Sequence, residues 1–377
     1  VVVRAEQHVR PLGRGAGDDV AHVHRLRRGG RAARNSEGSF LRLKNDEIFF
    51  AFTQFCGGSL DDDAPSGIVA IRSADEGETW SEPEQLIETG YLGIKTWMSV
   101  SMMRMANGDL GMFVLAKHDL CRIQIFLFRS NDEGLSFYEV KECTLSDRKG
   151  YYVMNNDRAL RLSSGRIMLP LSYHRNGYNE DGTPYYDLRA QVFFLYSDDD
   201  GRTWREAEQG VSCAVNATNT RFQEPGLVEL KENVLMAYIR TDLHVQYESF
   251  SFDDGMSWTM AQPSRFTSPP SPMTIRRNPY NGQLIAVWNP IPVYNGRKIY
   301  SAGWGRTPLV YAISRDNGKT YSEPVIIEGG EENGYCYPAL FFLPDGGLLA
   351  AYCSGGPEDI TCLTRLTIMK FEVTSHQ

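Results

Sequence analysis

Residues 197–204 read SDDDGRTW, and the same pattern, Ser-x-Asp-x-Gly-x-(Ser/Thr)-aromatic, occurs five times in the chain. The other copies are SADEGETW at 73–80, SNDEGLSF at 130–137, SFDDGMSW at 251–258 and SRDNGKTY at 314–321. In each copy the Asp carboxylate can accept backbone N–H bonds within its own turn, and the Gly supplies a backbone angle that other residues resist. The final aromatic ring can bury a large face in the core. The motif therefore predicts a repeated structural turn, and we assign no catalytic role to its Asp residues.

A second pattern alternates with the first and consists of a strand, a tight turn and a second apolar strand. It occurs six times, at 39–52, 101–115, 158–172, 226–239, 274–288 and 339–352. The turns carry pairs such as Asn107-Gly108 and Asn281-Gly282, which form hairpin turns at low cost. Repeats with a period of roughly 40–60 residues are typical of propellers and arrays. The two patterns together predict an all-β fold of many short strands.

The repeated octapeptide resembles the Asp box, or BNR repeat, of the sialidase superfamily, in which it lies between the third and fourth strands of propeller blades. Six hairpins and five boxes match a sialidase propeller, so the resemblance implies an all-β, six-bladed β-propeller of four-stranded antiparallel blades. We assign residues 34–377 to this single propeller. Residues 1–33, with seven Arg and no Lys, form an atypical N-terminal segment. This segment is an arm, a closing strand or a piece foreign to the fold.

The amino-acid composition of the chain limits the classes of molecule that it is expected to bind. The formal net charge of −8 is unlike that of a nucleic-acid-binding protein, although local Arg clusters can still attract an anionic substrate. No run approaches the length of a transmembrane helix, and we recognise no signal peptide. The seven Cys include no CxxC pair, so we expect no disulfide framework, no zinc site and no cofactor. Free thiols favour a cytoplasmic compartment, while secretion, a periplasmic location and the oligomeric state stay open.

Polar residues recur at one end of the expected blades. In an antiparallel meander, residues before strand one, after strand two and before strand three share one end, which we call the mouth. A propeller needs no charged residues there in order to fold, so their convergence indicates a site. The residues that this rule brings together include Arg34, Asp62, Glu224, Arg240, Arg306 and Tyr337, with Lys117, Tyr173 and His174.

The resemblance implies a role for each of the charged residues at the mouth. Sialidases hold the sugar carboxylate with three Arg, and Arg34, Arg240 and Arg306 stand at the matching positions. Arg offers bidentate contacts to a carboxylate that Lys does not reproduce. The Ile-Pro that usually follows the first Arg is absent, as is the carboxylate that often steadies it near the last hairpin. Glu37 could take the place of that carboxylate.

The catalytic residues follow from the same resemblance. Sialidases use a Tyr nucleophile, because a carboxylate nucleophile would repel the carboxylate of the substrate. Tyr337 matches this nucleophile, with Tyr335 as a competitor, and Glu224 matches the base that a weakly acidic Tyr requires. Asp62 matches the general acid, with Asp63 as the alternative.

The expected function is that of an exo-α-sialidase, a retaining glycoside hydrolase that removes terminal sialic acid from sialylated glycans. One alternative is a propeller enzyme that acts on another acidic glycan, by hydrolysis or by elimination, with Tyr173 and His174 as the reacting pair. The other alternative is a non-catalytic glycan-binding propeller. Linkage preference, and hydrolysis as against transfer to another sugar, stay open at this stage.

Overall fold

The computed structural model describes residues 6–11, 20–26, 32–145, 150–296, 303 and 305–373. Within these ranges the chain forms 26 β-strands and two 3₁₀ turns, Tyr91–Gly93 and Tyr294–Gly296. No helix in these ranges has the length and apolar character needed to cross a lipid bilayer.

The strands follow one another through the described ranges of the chain. In chain order they are β1 (Glu6–Pro11), β2 (Val20–Leu26), β3 (Ala32–Arg42), β4 (Ile48–Cys56), β5 (Ser66–Ser73), β6 (Glu84–Ile87), β7 (Thr96–Arg104), β8 (Leu110–Asp119), β9 (Arg122–Ser130), β10 (Glu139–Glu142), β11 (Tyr151–Val153), β12 (Leu160–Arg161), β13 (Ile167–Tyr178), β14 (Pro184–Ser197), β15 (Arg205–Glu206), β16 (Gln223–Lys231), β17 (Val234–Arg240), β18 (Val245–Ser251), β19 (Gln262–Thr267), β20 (Thr274–Arg277), β21 (Leu284–Trp288), β22 (Leu309–Ser314), β23 (Val325–Glu328), β24 (Gly334–Phe342), β25 (Gly347–Gly355) and β26 (Arg365–Glu372).

The six hairpins predicted from the sequence are all present as antiparallel pairs. They are β3 with β4, β7 with β8, β12 with β13, β16 with β17, β20 with β21, and β24 with β25. Short-range turn chemistry and apolar strands are enough to specify such pairs, because both partners lie within one stretch of chain.

The expectation of a six-bladed propeller made of four-stranded antiparallel blades is wrong. The described strands form five hydrogen-bonded sheets, with five, eight, five, four and four strands. The first two hairpins share the eight-stranded sheet, because Ser66 of β5 pairs in parallel with Thr96 of β7. The Ser66 hydroxyl strengthens this junction by donating a 2.8 Å hydrogen bond to the Trp97 carbonyl.

The two five-stranded sheets depart from the expected blade for different reasons. In one, the first strand is divided into β11 and β12, which both pair with β13. In the other, β2 pairs with β26 and β1 pairs with β2, so the last sheet includes strands from both ends of the chain. Arg25 of β2 also reaches the neighbouring sheet, where it forms a 2.8 Å ion pair with Glu328.

The sheets pack around one axis, mainly through the first strands of their hairpins. β3 contacts β7, β13 contacts β16, β16 contacts β20, β20 contacts β24, and β24 contacts β3. A 2.9 Å backbone bond from Asp157 N–H to the Val100 carbonyl joins the segment before β12 to β7. The ring is therefore closed, and the first strands surround a central depression.

The repeated octapeptides form the turns that their residues predict. Each begins on the last residue of a strand, namely β5, β9, β14, β18 and β22, and leads to the next strand of the same sheet. In the copy at 197–204, Ser197 Oγ donates to Asp199 at 2.8 Å and Thr203 N–H donates to Asp199 at 2.8 Å. Gly201 has φ +84°, and Trp204 is buried. These Asp residues are therefore held in turns distant from the mouth.

Candidate active site

A β-bulge recurs in the first strands and presents side chains to the central depression. Glu37, Ser99, Glu224 and Tyr337 each have a positive φ of 49–59°, and each lies at a break in strand register. A non-glycine residue in this region costs about 1–3 kcal/mol, which the surrounding structure must offset. A bulge also re-aims the side chain that it carries. All four of these side chains line the same cavity.

The mouth consists of two adjoining cavities of about 310 and 490 Å³. Asp62, Tyr186, Arg240, Arg306 and Leu363 line both of them. The six site residues expected from the sequence all lie in these walls: Arg34, Asp62, Glu224, Arg240, Arg306 and Tyr337. The structure therefore brings together every residue of the expected set.

Tyr337 and Glu224 form the central contact of the mouth. The Tyr337 hydroxyl donates a 2.9 Å hydrogen bond to Glu224 Oε1, and Arg240 pairs with Glu224 Oε2. Burial alone would raise the pKa of Glu224, but Arg240, Arg306 and the Tyr337 hydroxyl together hold it below its usual value. Burial and the nearby Glu224 charge raise the pKa of Tyr337 well above its usual value. The pair is therefore a neutral phenol bonded to an ionised carboxylate.

Arg34 forms a further ion pair in the mouth. It is 1% exposed, and its Nη1 donates to Asp62 Oδ1 at 2.6 Å, whereas 55% of the Asp62 side chain is exposed. The surrounding protein partly removes the Asp62 carboxylate from water, which acts to raise its pKa, yet Arg34, Lys117 and Arg306 lower that pKa overall. Asp62 is therefore ionised here, which is not the protonation state of a general acid.

Glu37 lies behind Arg34 and differs from the other carboxylates. Its Oε1 is 4.0 Å from Arg34 Nη2, and its Oε2 accepts a 2.8 Å hydrogen bond from Ser99 Oγ. Burial raises the pKa of Glu37 to about 7, and the attraction of Arg34 only partly opposes this. At neutral pH the carboxyl group is therefore partly protonated and neutralises Arg34 incompletely.

Arg306 is the third Arg of the mouth and is 9% exposed. Its Nη2 donates to the Pro270 carbonyl at 3.1 Å, and its guanidinium carbon lies 5.8 Å from the centre of the Tyr337 ring. Among the described residues, no carboxylate forms an ion pair with Arg306. Its charge is therefore available to an anionic ligand.

Of the alternatives considered from the sequence, His174 lines the mouth, whereas Asp63, Tyr335 and Tyr173 do not line its cavities. Asp63 pairs with Lys117 at 2.6 Å. Tyr335 is 1% exposed and donates its hydroxyl to the Gly329 carbonyl at 3.1 Å. Tyr173 and His174 are adjacent on β13 and therefore face opposite sides of the sheet, so that only His174 lines the mouth.

Sequence reasoning assigned no role to several residues in the wall. Tyr151 and Tyr186 stack with ring centres 4.8 Å apart and an interplanar angle of 5°. Ser99 and Asn155 also line the cavity. A local sequence signal was available for Ser99. The segment Ser99-Val100-Ser101 occupies the same place in its hairpin as Glu37-Gly38-Ser39 and Tyr337-Pro338-Ala339 occupy in their hairpins, and each segment begins on a bulge residue. Within the described ranges, no cluster of three or more His, Cys, Asp or Glu is suited to hold a metal.

Comparison with known proteins gives matches over most of the chain. Residues 116–350 match the family model described as a BNR repeat-like domain. Over 201 residues, half of this chain, the sequence is 27% identical to the anhydrosialidase of Macrobdella decora. The matched region is 23% of that protein, so this chain spans much less than two thirds of that relative's length.

Solved structures with the same architecture include sialidases and a trans-sialidase. The Hadza microbial sialidase Hz136 superposes with a TM-score of 0.71 at 14% identity, over 91% of this chain and 66% of that one. The intramolecular trans-sialidase from Ruminococcus gnavus superposes with a TM-score of 0.67 at 12% identity, over 91% of this chain and 96% of that one. At such identities the likeness shows a shared fold, the sialidase-type propeller.

Proposed function

The chain belongs to the BNR repeat-like domain family, with a sialidase-type propeller fold, and from that premise we propose that it is a retaining exo-α-sialidase. The single observation that carries the proposal is the Tyr337 hydroxyl donating to Glu224 in the mouth, whose two adjoining cavities are lined by three Arg. A phenol and a carboxylate in contact form a nucleophile and its base. A cluster of Arg beside them selects a substrate that carries its own carboxylate.

Substrate binding is proposed to start at the Arg residues. A sugar carboxylate that enters the mouth meets Arg306, which has no carboxylate partner among the described residues, and Arg240 and Arg34, which are paired with Glu224 and Asp62. The substrate carboxylate then shares these two Arg with their present partners. When an Arg interacts less strongly with a carboxylate, the pKa of that carboxylate rises. Binding would therefore make Glu224 a stronger base and increase the fraction of Asp62 that takes up a proton from solvent and can donate it.

The glycosidic bond is then proposed to break by displacement. Tyr337 Oη attacks the anomeric carbon while its proton passes to Glu224. The bond between the anomeric carbon and the leaving oxygen breaks, and Asp62 gives its proton to that oxygen. In the second half, the ionised Asp62 takes a proton from water and the water oxygen attacks the anomeric carbon. The bond between the anomeric carbon and Tyr337 Oη breaks, and the leaving phenolate recovers its proton from Glu224. The configuration at the anomeric carbon is retained, because the displacement happens twice.

The test is mass spectrometry of products from a panel of α-linked sialosides and uronosides in ¹⁸O-labelled water. We expect free sialic acid carrying one ¹⁸O atom from the sialosides and no product from the uronosides. Cleavage of uronosides alone would replace this proposal with the other acidic-glycan activity. Absence of any product together with binding of sialosides would indicate a glycan-binding propeller.

A second candidate is intramolecular transfer, and the observation that favours it is the 27% identity to an anhydrosialidase over half of the chain. Another solved relative is a leech intramolecular trans-sialidase in complex with 2,7-anhydro-Neu5Ac. In that reaction a hydroxyl of the sugar, in place of water, attacks the anomeric carbon. The same ¹⁸O experiment distinguishes the two, because an anhydro product is lighter by one water and contains no solvent oxygen.

A further inference from the structure

The β13–β14 hairpin has two faces, and each face borders a different cavity. On one face His174, Tyr186 and Leu188 line the mouth. The other face borders a separate cavity of about 420 Å³, which we call the outer cavity. Its walls are Tyr173, Arg175, Asp187, Arg189, Gln191 and Arg221.

Strand geometry separates the two sets of side chains. Successive side chains of a strand point to opposite faces, so residues two apart share a face. Asp187, Arg189 and Gln191 follow this spacing on β14. On β13, Tyr173 stands opposite Gln191, and Arg175 lies at the register shift that follows. The outer cavity is therefore a product of the same hairpin that forms one wall of the mouth.

The outer cavity has a positive charge in a chain whose formal net charge is −8. Three Arg and one Asp line it. Arg189 holds Asp187 through Nε and Nη2, at 2.9 and 2.6 Å. The hydrogen bond from Arg189 is the main reason that the pKa of Asp187 falls to about 2, and Arg221 contributes a smaller attraction. Asp187 is therefore ionised at neutral pH and neutralises one Arg, which leaves two positive charges.

Arg175 and Arg221 supply those two charges. No hydrogen bond or ion pair within the described ranges engages either guanidinium group, and the Nε atom of Arg221 is buried without a partner there. The backbone of Arg221 is fixed, because its N–H donates to Thr218 Oγ1 at 2.9 Å and the residue forms a β-bridge with Ala190. Its φ is +52°, a conformation that costs energy for a residue with a side chain.

We propose that the outer cavity is a second binding site, which takes the carboxylate group of an acidic saccharide. Arg175 and Arg221 bind the carboxylate, because charge-assisted bonds from Arg match its planar oxygens. The Tyr173 ring offers an apolar wall, and the Gln191 amide offers a donor and an acceptor for sugar hydroxyls. This inference stands on the outer cavity alone and does not depend on the proposed sialidase activity.

The test is calorimetric titration at constant ionic strength with four probes: a methyl α-thiosialoside, galacturonate, inorganic sulfate and the uncharged methyl galactoside. The proteins are the wild type, Arg175→Ala/Arg221→Ala for the outer cavity, and Arg306→Lys for the mouth. The matched control is Arg202→Ala/Arg205→Ala, which removes the same charge at the opposite end of β14, beside an octapeptide turn.

We expect at least one acidic saccharide to bind the Arg306→Lys protein. In the outer-cavity variant, the affinity of the outer cavity for that saccharide should fall by about tenfold or more. The control pair should lose less than about twofold, since only non-specific charge effects act there. Loss of all saccharide binding in Arg306→Lys would overturn the proposal, as would equal losses in the outer-cavity and control variants. Binding of sulfate without either saccharide would also overturn it and leave an inorganic-anion site. Failure of sialoside cleavage would overturn the proposed function while leaving these titrations unaffected.

Discussion

The Tyr337 hydroxyl and the Glu224 carboxylate meet at 2.9 Å although the two residues are 113 positions apart in the chain. Both lie on β-bulges of first strands, with φ of +57° and +49°, in different sheets of the closed ring. The neighbouring Arg240 holds the other oxygen of Glu224. Two strained backbone positions thus converge on one hydrogen bond, an arrangement that is typical of functional sites.

The first prediction concerns the nucleophile. Trapping with a 3-fluorinated sialosyl fluoride should place a covalent adduct on the peptide that contains Tyr337. Tyr337→Phe should abolish the adduct and lower kcat by about 10²-fold or more, because the attacking oxygen is gone. Tyr335→Phe is the matched control, since Tyr335 is buried and bonded to a backbone carbonyl. Peptide mapping by mass spectrometry is the measurement. An adduct on any other residue would contradict the assignment of Tyr337 as the nucleophile.

The second prediction concerns Glu224 as the base for Tyr337. Glu224→Gln keeps the shape of the side chain but removes its ability to accept the phenolic proton. We expect kcat to fall by about 10²–10⁴-fold, the usual contribution of a general base. The binding of a sialic-acid-like inhibitor should change much less. If the inhibitor affinity falls as much as kcat, Glu224 acts mainly by holding Arg240.

The acid prediction depends on the leaving group. Asp62→Ala should slow cleavage of natural sialosides by about 10²–10⁴-fold, because their leaving oxygen needs a proton. Activated aryl sialosides need less protonation and should retain more activity. Asp63→Ala is the control, since Asp63 is bound to Lys117. Equal losses for both classes of substrate in Asp62→Ala would remove Asp62 from the role of acid.

The carboxylate-binding prediction is tested most directly at Arg306. Arg306→Lys should weaken a sialic-acid-like inhibitor by about tenfold or more, because Lys lacks the bidentate geometry of Arg. Arg202→Lys, in an octapeptide turn at the far end of its sheet, should have no effect on inhibitor affinity. Inhibition constants at two salt concentrations would show whether only long-range charge is involved. Unchanged affinity in Arg306→Lys would exclude Arg306 from the binding set.

The last prediction is a pH dependence set by Glu37. Its pKa is raised from 4.5 to about 7 in the folded protein. Between these pH values the unfolded chain loses this proton while the folded chain keeps it, so the contribution of Glu37 to the free energy of unfolding falls as pH rises. The full loss is about 3 kcal/mol and is complete above the folded pKa. Glu37→Gln carries no such titration.

Thermal unfolding of both proteins from pH 4.5 to 8 checks this prediction. We expect the Tm of the wild type to fall relative to that of Glu37→Gln across this range, with Glu37→Asp as a titratable comparison. The pKa values of Asp62 and Glu224 are lowered, so these carboxylates titrate below this window and do not mimic the effect. Parallel Tm curves for wild type and Glu37→Gln would show that Glu37 is already ionised when folded.

The sequence by itself determined the repeating elements and the residues that face the mouth. An octapeptide turn closes hydrogen bonds within eight residues, as at Ser197 and Asp199, and a hairpin pairs strands that adjoin in the chain. Successive strands of an antiparallel meander run in opposite directions, so the residues before strand one, after strand two and before strand three lie at one end of the sheet. These are short-range effects, so one stretch of chain contains all the partners that they require.

Only the tertiary structure decided how the repeats join and how the site is charged. The parallel contact between Ser66 and Thr96 merges two expected blades into one sheet, which no hairpin pattern specifies. The ion pair of Arg34 with Asp62 and the position of Arg221 beside the β13–β14 hairpin likewise depend on loop paths between distant strands. Pairing of charges depends on the distance and burial of groups far apart in the chain, and these quantities exist only once the ring has closed.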